Sequence, residues 1–147
     1  MSTIWSRRSV VVALSLATAL GALAGCASMS PSTNQQVRLS GSNEVPANTS
    51  SASGTGDVNI MADRSVKVNV SVVGMTPTAA HIHEGAAGAN GPVIVPLTKV
   101  GDLGFVSADG AKLTEAQYAS YKAGNLYVNV HSAKFPGGEV RSQLVAK

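Results

Sequence analysis

The chain has 147 residues, one cysteine, and 11 Lys+Arg against 8 Asp+Glu for a net charge of +3; 44% of residues are hydrophobic and 4% aromatic. That length suits one domain, and a single cysteine excludes an internal disulfide framework. The positive balance is not a nucleic-acid footprint: beyond Arg7 and Arg8, the six lysines and three arginines are scattered, with no run and no aromatic interleaving. No nucleic-acid partner is expected.

Taken in chain order, the first element is an address label. Arg7 and Arg8 precede the apolar stretch Val10–Ala24, which is too short to span a bilayer comfortably and reads as a secretory signal over residues 1–25. "LAGC" at 23–26 resembles the bacterial lipobox, in which the chain is cut before a cysteine that carries lipid. That resemblance implies lipidation of Cys26, and Ala27 after it implies sorting to the outer membrane. Without residues 1–25 the charges are nine Lys+Arg against eight Asp+Glu, a net +1. Residues 26–35 are polar and proline-broken, a tether whose nine residues after Cys26 reach about 16 Å. The domain proper is expected over residues 36–147.

From Gln36 the pattern has period two. "SVKVNVSV" places Val66, Val68, Val70 and Val72 on one face and Lys67, Asn69 and Ser71 on the other, as in a half-buried antiparallel strand. Shorter runs of the same kind cover 37–39, 55–61, 78–83, 93–97, 125–131 and 138–144, separated by Gly, Pro, Asn and Ser clusters. The stretch 48–56 reads as a mobile hairpin loop, and Gly137 and Gly138 as a turn. Glu139 and Arg141 alternate on one strand face and are expected to pair at the surface. "LTEAQYASYKAGN" departs from the rhythm: Thr114 as N-cap, Gln117 three residues on and Gly124 as a stop predict a helix over 115–122. The fold expected is all-β, an antiparallel Greek-key-like β-sandwich of about seven to eight strands with one short helix.

Four blocks carry a family resemblance: "LSGSNEVP" at 39–46, "AHIHEGAAGANGPVIVPL" at 80–97, the helix-to-strand passage "LTEAQYASYKAGNLYVNVHS", and "PGGEVRSQL" at 136–144. In this order they resemble the chordin-type (CHRD) domain. The resemblance implies a secreted or surface-attached β-sandwich module, and it names a fold better than a function.

The chain's three histidines are His81, His83 and His131. On a strand, positions two apart share a face about 6.6 Å apart along the chain, so His81 and His83 can converge on one ion while Ile82 faces the core. His131 falls on the polar side of "LYVNVHS". Three neutral imidazoles suit copper or zinc, with Met75, Met61, Glu84 or water left open as a fourth ligand. The His-x-His is also similar to that of copper–zinc superoxide dismutases, but no fourth histidine or cysteine pair exists, and dismutase activity is not expected. The histidines could instead serve the Gly-rich loop "EGAAGANGP" as structural hydrogen-bonders.

No nucleophile elbow, phosphate loop or paired carboxylates are visible, so an enzyme is not expected. The function expected is a lipid-anchored cell-envelope module, on the periplasmic face of the outer membrane, with copper or zinc as candidate cofactor through His81, His83 and His131. The alternative is a structural module, or one that binds an envelope protein partner, without metal.

Overall fold

The computed structural model describes residues 34–146. The signal sequence and the lipidated Cys26 expected from the sequence lie outside the described residues. Eight strands form, β1 (Asn34–Ser40), β2 (Ser53–Ile60), β3 (Val66–Val73), β4 (Pro77–Glu84), β5 (Val93–Val100), β6 (Gly104–Ser107), β7 (Leu126–Ser132) and β8 (Val140–Leu144), with one helix, α1 (Glu115–Lys122). All seven strands expected from alternation are present. The short β6 was not expected.

The strands are antiparallel and close into a barrel in the order β1-β2-β3-β6-β5-β4-β7-β8. This corrects the expected open sandwich. β6 supplies the physical reason on one side, because Phe105 pairs with Val70 and Lys99, so that it joins β3 to β5. On the other side Ser40 of β1 pairs with Arg141 of β8. Closure removes the free edges that a sandwich would have to protect. The connection from β3 to β4 passes across β5 and β6, a Greek-key crossing.

Alternation sets the core. Val66, Val68, Val70 and Val72 face inward with Val37, Leu39, Val58, Ile60, Ile82, Phe105, Leu126, Val128, Val130, Val140 and Leu144, all buried. α1 packs Tyr121 against this core. Its capping box forms as the spacing requires: Thr114 Oγ1 accepts from Gln117 N at 3.2 Å, and Gln117 Oε1 accepts from Thr114 N at 2.8 Å.

The outer face of β4, β7 and β8 is not simply solvated. Loops fold back over it, and the segment expected as a mobile hairpin is one of them. Ser53–Gly56 belongs to β2, and the preceding residues are pinned: Asn48 Nδ2 donates to Glu139 O at 3.1 Å, and Ser50 Oγ to Glu139 Oε1 at 2.5 Å. The expected Glu139–Arg141 surface pair is therefore also corrected. Arg141 is 1% exposed and Glu139 5%, each buried beneath a loop with its own partners.

Candidate metal centre

β4 lies between β5 and β7, and its inward residues Ala80 and Ile82 are fully buried. Their burial turns His81 and His83 to the outer face, as the period-two pattern requires. Across the β4–β7 ladder His81 pairs with Asn129, His83 with Tyr127 and Ala79 with His131. His131 is thus the diagonal neighbour of His81, within reach of a long side chain. The three imidazoles meet: ring centroids are 4.9 Å apart for His81 and His131, 5.5 Å for His81 and His83, and 5.9 Å for His83 and His131. One ligand nitrogen from each lies within 4.8 Å of the others. Two strand neighbours and one cross-strand diagonal, fifty residues away in sequence, make one cluster.

The protons on these rings can be assigned from their partners. His83 Nδ1 lies 2.9 Å from Gly91 O, and His131 Nδ1 lies 3.0 Å from Pro136 O. A carbonyl only accepts, so each Nδ1 carries the proton and each Nε2 is left as a lone pair. His131 Nε2 receives the hydrogen bond from His81 Nδ1 at 3.0 Å. His83 Nε2 is buried and has no hydrogen-bond partner among the described residues. An unpartnered buried acceptor is costly, by about 1–3 kcal/mol, so its persistence calls for an explanation.

Burial favours the neutral form of His81 and His131. His81 is pushed down to about 4, first by burial and then by the neighbouring His131 and His83. His131 is lowered too, chiefly by burial, against the opposing pull of the Pro136 carbonyl. Metal binding needs deprotonated imidazole, and ring orientation by a second hydrogen bond is the usual companion of a ligating histidine. Two of the three rings have that companion. In a tetrahedral zinc site with bonds of about 2.0–2.1 Å, ligand nitrogens lie about 3.4 Å apart, so binding would draw these rings inward and replace the His81 proton now shared with His131.

The sequence left the fourth ligand open. Glu84 turns toward α1, where its Oε1 accepts from Ser120 Oγ at 2.5 Å, and it is not in the cluster. Met75 packs against the core, and Met61 lies in the β2–β3 turn, where its carbonyl accepts from Arg64 N. Among the described His, Cys, Asp and Glu residues, three histidines come close enough to hold one ion, and no carboxylate joins them.

Several residues around the cluster were not assigned to it from the sequence. Tyr127 stacks on His83, with ring centroids 4.8 Å apart and planes 4° from parallel. The Arg141 guanidinium lies over the other ring face, 3.3 Å from its centroid. Glu44, 6% exposed, is pushed up to about 7 by burial, only partly offset by Arg141 and Asn129. Their signal in the sequence is faint: β7 and β8 carry polar or aromatic residues at outward positions that would be solvated if no loop covered them.

Comparison with known proteins agrees with the four sequence blocks. The model of one protein family, described as the CHRD domain, matches residues 35–144, from the start of β1 to the end of β8. No curated protein and no solved structure matches the chain.

Proposed function

We propose a function from the premise that the chain belongs to the CHRD-domain family: it is a lipid-anchored module of the cell envelope that holds one copper or zinc ion through His81, His83 and His131. The observation that carries the metal is the buried, unpartnered Nε2 of His83, in a ring clustered with two further imidazoles whose neutral form is favoured. A donor set of neutral imidazoles suits copper and zinc rather than calcium or magnesium, which take oxygen ligands. The residues do the binding and the orienting; the ion would supply Lewis acidity at the open fourth position. No dismutase chemistry is proposed, because a chain with three histidines cannot build a four-histidine copper site.

The membrane attachment rests on "LAGC". With Cys26 replaced by serine, the chain should no longer incorporate labelled palmitate, and undiminished labelling would remove the anchor from the proposal.

A second reading has its own support. The His81–His131 and His83–Gly91 hydrogen bonds already give the histidines structural partners, as expected of an envelope module that binds protein or serves as a spacer. Calorimetric titration of the full chain with Cu(I), Cu(II) and Zn(II), beside His83→Ala and His131→Ala, separates the two. The metal reading expects binding in the wild type that each single variant largely removes, with the double variant little worse than either. Equal binding by all four proteins would leave the structural reading.

A further inference from the structure

Resting on the metal reading above, we infer that Arg141 is a positioning residue of the histidine cluster, holding the loop of residues 85–92 so that His83 keeps its proton on Nδ1 and its Nε2 lone pair toward His81 and His131. The chain of contacts is continuous. His83 Nδ1 donates to the carbonyl of Gly91, and Gly91 N donates to Tyr127 Oη at 3.2 Å. Gly91 is bound to this place sterically, because a Cβ there would collide with Glu84 O. Gln143 Nε2 ties Gly85 O and Asn90 Nδ2 reaches Val45 O, and the guanidinium holds the stretch between them. Arg141 Nη2 donates to Ala89 O at 2.9 Å and Ala86 O at 3.3 Å, and Nη1 to Asn90 Oδ1 at 3.3 Å, while the plane rests on Tyr127.

Guanidinium is suited to this task and ammonium is not. It offers five N–H groups in a rigid planar fork and stacks on an aromatic face, so one side chain can cap two backbone carbonyls and an amide oxygen while covering a ring. The same cation is 1% exposed, and among the described residues it forms no salt bridge, although the Glu44 carboxyl is near enough to attract it. Burying a cation is expensive unless its hydrogen bonds are satisfied, and here loop carbonyls satisfy them. Arg141, Tyr127 and His83 stack in that order, and the open Nε2 lone pair lies in the plane of the last ring. Without the first layer the loop carbonyls lose their donors, the Gly91 carbonyl is free to move, and the His83 ring can place its proton on either nitrogen.

The test uses the full chain with 15N-labelled histidine. The His83 tautomer is read in the metal-free protein by long-range proton–nitrogen correlation, and the affinities for Zn(II) and Cu(I) by chelator competition. Variants are Arg141→Lys, Arg141→Gln and Tyr127→Phe, with Val70→Ala in the barrel core as a control for stability alone. In the wild type His83 should be protonated at Nδ1. In the Arg141 variants it should become a mixture, with affinities 10- to 100-fold lower, the loss typical of an outer partner of a metal ligand. His131, anchored by Pro136, should keep its tautomer, and Val70→Ala should lower the unfolding midpoint without changing affinity. Should both Arg141 variants fail to fold, Tyr127→Phe removes the acceptor of Gly91 N and keeps the ring, with a smaller shift in the same direction. An unchanged His83 tautomer and unchanged affinity in the folded variants would overturn the inference, as would an equal affinity loss in Val70→Ala. If the wild type binds neither metal, the metal reading fails separately, and the tautomer in the variants still decides whether Arg141 positions His83.

Discussion

Glu44 sits against Gly138 with its Oε1 lacking a hydrogen-bond partner among the described residues, and Asn129 Oδ1 beside it is in the same position. Gly138 adopts φ +135, and a Cβ there would strike both the Glu44 carboxyl and the Asn129 amide, so the backbone comes this close only as glycine. Burial holds the Glu44 carboxyl near 7, above its ordinary 4.5. A carboxyl raised in the folded state binds its proton more tightly there than in the unfolded chain. Its contribution is therefore fully present below pH 4.5 and is lost as pH rises toward 7. Urea denaturation at pH 5 and pH 8 should show the wild type losing about 1–3 kcal/mol more over that interval than Glu44→Gln, which carries no titrating proton. Identical losses in the two proteins would mean that the carboxyl ionises without penalty. Glu44 and Arg141 also mark where residue-level reading of the sequence stops. Charged residues are seldom buried, so Arg141 reads as a surface residue and Glu44 carries no sign of burial, and only the loops folded over β8 make them otherwise.

At the scale of elements, local rules were enough wherever one face meets the core. The alternation in β3 and β4 and the capping box of α1 are all visible in the residues, because each depends on neighbours two, three or four positions away. Replacing Thr114 by Ala should cost about 1 kcal/mol of stability by freeing the Gln117 amide, measurable as a shift in urea midpoint. Val128→Asp should put an unpaired charge in the barrel at a cost of several kcal/mol and abolish cooperative unfolding, whereas Lys67→Asp on the exposed face of β3 should change little. Equal damage from the two would mean that the strand phases are wrong. β7 shows why the rest was not legible. Its burial runs through Leu126, Tyr127, Val128, Asn129 and Val130 without alternation, since the interior takes one face and the loops the other. Period two reveals which residues share a face, and it is silent about a cover contributed from forty to ninety residues away. β6 escaped for a different reason: four residues with one large apolar side chain carry too little pattern to be distinguished from a turn.

For the whole molecule, the histidine cluster depends on closure, because β4 and β7 meet only after the Greek-key crossing has carried the chain over β5 and β6. Phe105 is the core contact of the strand that completes this ring, so Phe105→Ala should cost about 3–5 kcal/mol. The same dependence makes the ion a probe of the fold. The three imidazoles come together only in the folded barrel, so a metal bound there favours folded over unfolded chain, by about 2.7 kcal/mol when free metal is at a hundredfold excess over the dissociation constant. For a domain near this size that corresponds to an increase in Tm of roughly 10 °C. Thermal unfolding of metal-free protein, with Zn(II) or Cu(I) added and then with chelator, should show the increase and its reversal. His131→Ala should remove it although the residue lies on a different strand from His81 and His83, while Ile82→Val, which trims an inward side chain, should lower the starting Tm and keep the metal-induced increase. An increase that survives in His131→Ala would place the ion elsewhere and separate the cluster from the metal.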